Sequence, residues 1–344
     1  MHAAPLQVER VKEYFTRWIG KWPTVQALAS ASEDEVTEAW AGLGYYRRAK
    51  YLHTGAKGVS ERLGGRMPRT AAELRTISGV GEYTAGAIAS IAFGEAVAAV
   101  DANVVRVVSR LAAYKGRGKS GAEKEHWALA EELVSPERPG DLNQSIMELG
   151  ATVCQAAKVQ CGRCPVVAHC GAAAKAKESG GAVHVTDYPA RAAKKAKRQE
   201  LVGVLLVAAS REGERSLLLS KRPESGLLAG LWEFPSVALA SGESVGAATP
   251  LTSTHHKALR AHASAMGVPG NGELRHCGVV SHTFSHVQQH YVIYTAEVAD
   301  DVALARGARK RWVAAREVAK AGLSSGPLKC FDKWTAALSQ KRAM

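Results

Sequence analysis

The chain has 344 residues, 46% of them hydrophobic, which is enough for two domains with a buried core each. Its 45 Lys and Arg residues outnumber 32 Asp and Glu residues. The resulting net charge of +13 favours a polyanionic partner, either nucleic acid or an anionic membrane surface. The longest apolar run, 201–209, has only the length of a strand. The sequence therefore predicts no transmembrane helix, which makes an anionic membrane surface the weaker of the two partners.

Residues 1–176 are predicted to form an all-α domain. From residue 6 onwards, apolar side chains recur every three or four positions, as on one face of a helix. The segments 32–35 and 70–73 match the capping box that is typical of helix N-termini. Asp141 is predicted to cap a further helix that leads to Cys154.

Residues 177–199 have the composition of a basic linker, with glycines and few large apolar side chains. The cations of this linker are Arg191, Lys194, Lys195, Lys197 and Arg198. They either remain solvated or contact DNA phosphates, and the sequence leaves both interpretations open.

Residues 200–344 are predicted to form a second domain that contains strands. Strand patterns occur at 201–209, 216–220 and 291–297, and the last of these alternates polar and apolar residues. The second domain is therefore expected to be α+β, with a mostly antiparallel sheet.

Four of the six cysteines lie between residues 154 and 170. Cys154, Cys161, Cys164 and Cys170 can supply the four thiolates that either a tetrahedral zinc ion or an iron–sulfur cluster requires. Their spacing leaves both open, although zinc sites mostly pair two C-x2-C knuckles and this segment has only one. The clustering differs from the spread of cysteines in a disulfide-stapled secreted domain, so we expect a reducing compartment.

A turn at Gly79-Val80-Gly81 separates two helical patterns and opens onto a predicted helix N-terminus. Such a turn can present backbone N–H groups to a phosphate, although taken alone it is more often an ordinary turn. Further along, Asp101 follows an apolar run at another helix start. It is either simply an N-cap or a partly buried functional carboxylate, and the two roles are compatible.

Five segments, in this order, resemble MutY-type adenine DNA glycosylases of the helix-hairpin-helix superfamily. They are 42–46 (GLGYY), 79–88 (GVGEYTAGAI), 100–107 (VDANVVRV), 143–154 (NQSIMELGATVC) and the cysteine loop. The resemblance covers nearly the whole chain, because 221–235 resembles the opening of the Nudix-like domain at the C-terminus of these enzymes. It implies a multidomain protein. An all-α helix-hairpin-helix glycosylase domain would hold a 4Fe-4S cluster on the cysteine loop, and an α+β Nudix-like domain would follow.

The resemblance also implies catalytic roles. Asp101 would stabilise an oxocarbenium-like sugar and help to deliver water, and Asn103 would bind near the same sugar. Tyr83 would lie against the developing cation, while the turn at 79–81 would grip a DNA phosphate. Relatives that also cut the strand have a lysine at the position of Tyr83, so base removal alone is implied here.

Further residues are implied to contact DNA. Tyr45 would wedge into the base stack beside the oxidised guanine, and Arg48 is a candidate phosphate contact. In the second domain, Phe284, Ser285 and His286 belong to a loop that resembles the family segment that probes 8-oxoguanine. The Ser285 hydroxyl can both donate and accept a hydrogen bond there. The glutamates that hold Mg²⁺ in hydrolytic Nudix enzymes are missing, so recognition without hydrolysis is expected.

The sequence departs from the family at its start. The glutamate that protonates the departing adenine in the family would fall one residue before Met1. The family's strand-inserting glutamine is also missing, because residues 3–6 read AAPL where the family segment contains it. Glu9 and Glu13 lie further along the following helix, so neither is expected to substitute as the acid. We expect either that the chain starts late or that it binds lesions without excising them. The first is favoured, because the rest of the family pocket is present.

The resemblance thus implies a monofunctional glycosylase that removes adenine mispaired with 8-oxoguanine or guanine in double-stranded DNA. A lesion-binding protein with impaired catalysis and a related pyrimidine-mismatch glycosylase are the alternatives. We expect a monomer with no membrane partner, with repair and replication proteins as candidate protein partners. The expected localisation is nuclear, with the mitochondrion as a second compartment.

Overall fold

The structure, a computed structural model, describes residues 5–117, 122–191, 196–211, 213–242, 244–269, 272–299 and 309–342. The chain divides into two compact units. The first comprises Met1–Ala31 and Lys50–Lys194, and the second comprises Ser32–Ala49 and Lys195–Met344. Two predicted linker cations, Lys194 and Lys195, lie outside the described residues. Within those ranges, no helix is both long enough and apolar enough to cross a membrane.

Helices dominate the first part of the chain, which confirms the predicted all-α glycosylase-type domain. They are α1 (Pro5–Lys21), α2 (Val25–Ser30), α3 (Glu33–Trp40), α4 (Arg47–Arg62), α5 (Ala71–Leu74), α6 (Glu82–Phe93), α7 (Ala102–Leu111), α8 (Lys124–Glu131), α9 (Pro139–Thr152) and α10 (Gly171–Glu178). Short 3₁₀ helices lie at Cys161–Arg163, Val167–His169 and Val185–Asp187.

The capping predictions have mixed outcomes. At 32–35 the full capping box is present, because Ser32 accepts from the Glu35 N–H and the Glu35 carboxylate accepts from the Ser32 N–H. At 70–73 Thr70 accepts from the Glu73 N–H, which is one half of the box. The prediction that Asp141 caps α9 is wrong. The helix begins two residues earlier, because a proline at its first position is already fixed in a helical φ.

Two apolar clusters in the first unit position the candidate site. One contains Ile77 and Ala85 and lies beneath the turn at 79–81. The other contains Val100 and Val104, which flank Asp101 in sequence. Both the turn and the aspartate are therefore attached to packed helices, which limits their movement.

Part of the predicted linker 177–199 is folded into the first unit. Tyr188 is buried, and the Ala190 N–H donates to the Lys115 carbonyl at 2.6 Å. The Lys115 ammonium also lies 5.9 Å from the centre of the Tyr188 ring. Composition alone could not predict this, because the contacts come from residues far away in the sequence.

The second unit contains a mixed sheet flanked by helices, which confirms the predicted α+β class. Its strands are β1 (Arg198–Arg211), β2 (Glu214–Lys221), β3 (Trp232–Glu233), β4 (Ser236–Ser241), β5 (Arg275–Thr283), β6 (Val287–Glu297) and β7 (Lys310–Ala314). The main path is β3-β2-β1-β6-β5, with β4 beside β1 and β7 beside β2. Only β1 and β6, among the described strand pairs, run parallel.

Each face of this sheet is covered by a helix. α12 (Ser325–Arg342) contributes Cys330 and Trp334 to the core on one face, and α11 (Ser253–Ala265) contributes Leu259 to the core on the other. The segment Ser32–Ala49 also belongs to this second unit, although the sequence places it within the first domain, at 1–176.

Candidate active site and nucleic-acid interface

Asp101 is the N-cap of α7 and holds a fixed carboxylate at the helix start. Its Oδ1 accepts hydrogen bonds from the backbone N–H groups of Asn103 and Val104, both at 2.8 Å. Its Oδ2 accepts from the Asn103 side-chain amide, also at 2.8 Å. The residue is only partly buried, so the carboxylate combines the capping role with access to a ligand.

Asn103 connects this carboxylate to a buried arginine. The Asn103 Oδ1 accepts a hydrogen bond from Arg106 at 2.8 Å, and Arg106 also donates to the carbonyls of Gly150 and Cys154. Burial, followed by the nearby Arg110 charge, lowers the pKa of the Arg106 guanidinium. The structure thus gives buried Asn103 a part in orienting Asp101, and the implied place of Asn103 near the sugar stays a prediction.

The segment that leads into Asp101 is fixed by Asn143 of α9. This buried amide accepts from the Ala99 N–H at 3.0 Å and donates to the Val97 carbonyl and the Ser90 hydroxyl, both at 2.9 Å. Gly150 lets α9 approach α7 closely, because a Cβ there would lie 2.7 Å from the Asn103 Cβ. Both residues belong to the 143–154 motif, whose role in the structure is to hold α7.

Tyr83 lies in the first turn of α6 and is 40% exposed. Its hydroxyl lies 3.5 Å from the Met147 sulfur of α9, a long contact to a weak acceptor. Tyr83 thus exposes part of its side chain while its hydroxyl end is held near α9.

The two glycines of the hairpin are suited to their positions for different reasons. Gly79 has a φ of +84°, and a Cβ there would lie 2.5 Å from the Tyr51 Cβ. Gly81 caps α6 with an extended backbone, and a Cβ there would meet no atom within 4 Å. Gly79 is required by the fold, whereas Gly81 leaves open space beside the N–H groups of a helix N-terminus, where an anion can bind.

The four clustered cysteines line one small cavity together with one polar residue, Gln160, and four valines, which are Val153, Val159, Val167 and Val185. Burial, and then the neighbouring thiolates, raises the pKa of Cys161. Among the described residues, no group of three or more His, Cys, Asp or Glu side chains is arranged to hold a metal ion. The shared cavity, with four thiols and no competing ligand type, still fits the donor set of an iron–sulfur cluster.

Arg110 ties this cavity to α7. Its guanidinium donates to the Cys154 Sγ at 3.2 Å and to the carbonyls of Cys154 and Gln155 at 3.1 and 2.8 Å. It also donates to the carbonyls of Ala156, at 3.4 Å, and Tyr188, at 3.0 Å. One buried side chain therefore joins the helix of Asp101, the cysteine loop and the folded part of the linker.

Tyr45 lies in a strained loop of the second unit. It is 59% exposed and has a positive φ of 50°, which is uncommon for a residue with a side chain. The Trp40 indole donates to the Gly44 carbonyl at 3.0 Å, and the Arg48 N–H donates to the Tyr45 carbonyl at 2.9 Å. Residues 41–46, the wedge loop, thus hold the Tyr45 ring in an exposed position.

The loop 283–286 joins β5 and β6 and exposes Ser285 and His286. Phe284, by contrast, is half-buried and packs edge-on against His282, with ring centroids 4.5 Å apart. Its carbonyl accepts a hydrogen bond from the Lys197 ammonium at 3.0 Å. The structure thus gives Phe284 a role as the anchor of the loop, and leaves Ser285 and His286 available to DNA.

Comparison with known proteins identifies the family. Residues 2–132 match the HhH-GPD superfamily of base excision DNA repair proteins, and residues 206–333 match the NUDIX domain. Human adenine DNA glycosylase is 39% identical to this chain in an alignment 374 positions long. The alignment covers 94% of this chain and 65% of the relative. The mouse enzyme is 38% identical in an alignment 360 positions long, which covers 94% of this chain and 68% of the relative. The chain belongs to the adenine DNA glycosylase family.

This member of the adenine DNA glycosylase family spans about two thirds of the length of these relatives. Among solved structures, a thermostable thymine-DNA glycosylase is 30% identical, with 48% of this chain and 76% of that chain covered and a TM-score of 0.45.

Three buried polar residues of this chain were not predicted from sequence: Arg106, Arg110 and Asn143. The only sequence signal is their spacing. Arg106 and Arg110 are four residues apart on a helix in which half of the other positions are valine, so both are placed on one face. Such a pattern more often indicates a solvated face, and only the packed structure shows that this one is buried.

The hairpin gives a prediction in which two similar substitutions have opposite outcomes. We expect Gly79→Ala to destabilise the protein by roughly 1–3 kcal/mol, because the added Cβ is strained and strikes Tyr51. Gly81→Ala should change stability by less than about 1 kcal/mol and yet weaken DNA binding, since the methyl group enters the open space beside the helix start. Thermal unfolding and fluorescence anisotropy with duplex DNA measure the two effects. Unchanged DNA affinity in Gly81→Ala would contradict a phosphate contact at this hairpin.

Proposed function

We propose that this protein removes adenine mispaired with 8-oxoguanine or guanine from double-stranded DNA, by base flipping and hydrolysis of the N-glycosidic bond. The observation that carries the proposal is the Asp101 carboxylate, which three hydrogen bonds fix at the start of α7 while leaving it partly exposed. Cleavage of an N-glycosidic bond builds positive charge on the sugar, and a fixed carboxylate stabilises that charge without first having to reorient.

Asp101 acts on the sugar of the flipped nucleotide. Its negative charge stabilises the oxocarbenium-like transition state and can accept a proton from the attacking water. The hydrogen bond from Asn103 keeps the Oδ2 in one orientation, and Arg106 in turn holds the Asn103 amide. The cost of arranging the site is therefore met during folding rather than during the reaction.

Neighbouring elements hold the nucleotide for this step. The α6 N-terminus and Gly81 offer backbone N–H groups to a phosphate, and the Tyr83 ring offers an apolar face to the sugar and base. Because Tyr83 has no amine, it cannot form a Schiff base with the sugar, and base removal without strand cleavage is expected.

We also propose that the four cysteines hold a 4Fe-4S cluster. The shared cavity supplies the four thiols, and their spacing supports this over zinc, because zinc sites mostly pair two C-x2-C knuckles and this segment has one. When bound, the cluster cross-links the loop 154–170 and supplies a charged, rigid element. Arg110 and Arg106 attach the Cys154 backbone to α7, so the folded loop supports the helix that carries Asp101.

A single-turnover assay tests the enzyme activity directly. Excess protein is incubated with duplex DNA that contains 8-oxoguanine opposite adenine, and free adenine is measured over time. Release above the rate of a protein-free control supports the proposal. Tight and selective binding without release would instead identify a lesion-binding protein. Faster base release from a G:T mispair would identify a pyrimidine-mismatch glycosylase.

Ser285 gives a prediction for lesion specificity. We expect Ser285→Ala to reduce the preference for 8-oxoguanine over guanine by about threefold to tenfold, because one hydrogen bond to the lesion is lost. The comparison is the ratio of dissociation constants for duplexes with each base opposite an uncleavable adenosine. Ser264→Ala, at an exposed serine of α11 outside this loop, is the control and should leave the ratio unchanged. An unchanged ratio in Ser285→Ala would contradict a reading role for the hydroxyl.

A further inference from the structure

The wedge loop and α3 belong to the second unit, although both lie among the helices of the first domain in sequence. Two ion pairs attach α3 there. Asp34 pairs with Lys221 of β2 at 2.7 Å, and Glu38 pairs with Arg311 of β7 at 3.2 Å. These side chains are only partly exposed, so the pairs are less screened by solvent than fully exposed ones.

Both cations also lie over the same buried ring. The Lys221 ammonium is 5.6 Å and the Arg311 guanidinium 4.3 Å from the centre of the Trp232 ring. Trp232 belongs to the apolar core that α12 covers. The cations that hold α3 are therefore anchored in the core of the Nudix-like domain, which restricts their side-chain freedom before α3 binds.

A short connector, residues 321–325, runs from this attachment towards α12. Arg311 donates to the Ala321 carbonyl at 2.8 Å, so the residue that holds Glu38 also holds the connector. Gly322 has a φ of +74°, and a Cβ there would lie 3.1 Å from the Glu38 Cγ. Glycine thus meets both the backbone geometry and the close approach of α3.

Tyr46 joins the connector to the wedge loop. Its hydroxyl accepts a hydrogen bond from the Gly42 N–H at 3.2 Å and donates to the Leu323 carbonyl at 3.3 Å. Gly42 and Tyr46 are the two ends of the loop that carries Tyr45. One hydroxyl group therefore closes the wedge loop and attaches it to a buried residue of the Nudix-like domain.

The other end of the connector reaches the loop 283–286. The Ser325 hydroxyl lies 3.4 Å from the His282 Nε2, and the His282 ring packs against Phe284. Burial, and then the Lys329 charge, lowers the pKa of His282, which favours the neutral ring in this position. A continuous set of contacts thus runs from Tyr46 through the connector to Phe284.

We infer that the connector 321–325 mechanically couples the wedge loop to the loop 283–286, so that lesion reading by Ser285 and wedge insertion by Tyr45 occur as one event. This inference rests on the proposed function. Tyr46 is the positioning residue at the centre of the coupling. Its hydroxyl is the group whose removal breaks the hydrogen bond from the wedge loop to the connector while leaving both Tyr45 and Ser285 intact.

A double-mutant cycle tests the coupling. Tyr46→Phe, Ser285→Ala and the double variant are compared by their affinity for duplexes with 8-oxoguanine or guanine opposite 2′-fluoro-2′-deoxyadenosine, whose glycosidic bond resists cleavage. We expect Tyr46→Phe to lower the preference for 8-oxoguanine by about threefold to tenfold, as loss of one hydrogen bond allows. The double variant should then lose little more than either single variant, because coupled residues are not additive.

Controls separate coupling from loss of folding. Tyr114→Phe removes a similar hydroxyl contact, to Glu123 at 3.1 Å in the first unit. Its effect on the preference for 8-oxoguanine and that of Ser285→Ala should simply multiply in the double variant. Glu38→Gln breaks the ion pair with Arg311 and is the second test of the coupling. If Tyr46→Phe does not fold, Glu38→Gln should show the lowered preference for 8-oxoguanine in its place. Thermal unfolding shows whether each variant is folded.

The outcomes distinguish the inference from the proposed function. An unchanged preference in both Tyr46→Phe and Glu38→Gln, or effects of Tyr46→Phe and Ser285→Ala that simply multiply, would overturn the coupling and leave the function intact. A wild-type chain with no preference for 8-oxoguanine would overturn the proposed specificity, and the coupling with it.

Discussion

Asp101→Asn is expected to slow single-turnover adenine release by about a thousandfold or more, because it removes the charge that faces the cationic sugar. The fold should survive, since asparagine is as good an N-cap as aspartate and its Oδ1 can still accept from the N–H groups of Asn103 and Val104. The new amide would face the Asn103 amide, which costs roughly 1–2 kcal/mol of stability. Adenine release and thermal unfolding measure the two effects separately.

Asp141→Asn is the matched control for this substitution. Asp141 also lies in the first turn of a helix, but it is exposed and pairs with Arg138 at 2.7 Å. Its neutralisation should leave adenine release unchanged. If Asp101→Asn kept more than about a tenth of the wild-type rate, the carboxylate could not be the main stabiliser of the cation.

Arg110→Met is expected to cause the largest loss of stability, roughly 3–5 kcal/mol. The substitution keeps an apolar stem but leaves the carbonyls of Gln155 and Tyr188 without their donor, while the Cys154 carbonyl keeps only its hydrogen bond from Arg106. The cysteine loop would then be free to open, so iron and acid-labile sulfide per chain should fall together with the unfolding free energy. Denaturant unfolding and iron analysis are the measurements.

Arg163→Met provides the comparison, because Arg163 belongs to the cysteine loop to which Arg110 of α7 donates. Arg163 lies between Cys161 and Cys164, where it is exposed and contacts Gln160 at 3.0 Å. Its loss should change stability by less than about 0.5 kcal/mol and leave the iron content unaltered. Equal losses in the two variants would show that removing any cation near the cysteine loop destabilises it, and that the Arg110 hydrogen bonds are not specifically responsible.

Local sequence signals predicted the parts of the site that depend on near neighbours. The helix start at Asp101 and the turn at Gly79 follow from residues within a few positions of each, as do the central strands. Asp141 shows the limit of such signals, because two N-terminal features competed and Pro139 decided where the helix begins. The spacing of the cysteines likewise indicated a shared site, while their common cavity became visible only in the fold.

Contacts between distant segments were beyond local patterns. The resemblance implies that Asn103 lies near the sugar and that Phe284 contacts DNA, and both stay predictions. The packed structure adds protein neighbours that no local pattern predicts: Arg106 for Asn103, and His282 and Lys197 for Phe284. Arg110 lies on a valine-rich helix, and its five hydrogen-bond acceptors come from two segments at least 44 positions away.

The sequence by itself determined the two fold classes, the order of the domains and the family, because these follow from periodicity, turn residues and motifs that are local in the chain. Only the tertiary structure decided that α3 and the wedge loop join the Nudix-like domain. That assignment depends on Asp34, Glu38 and Tyr46 meeting residues more than 180 positions further along the chain. Pairing over such separations is set by packing and charge in three dimensions, and no local pattern encodes it.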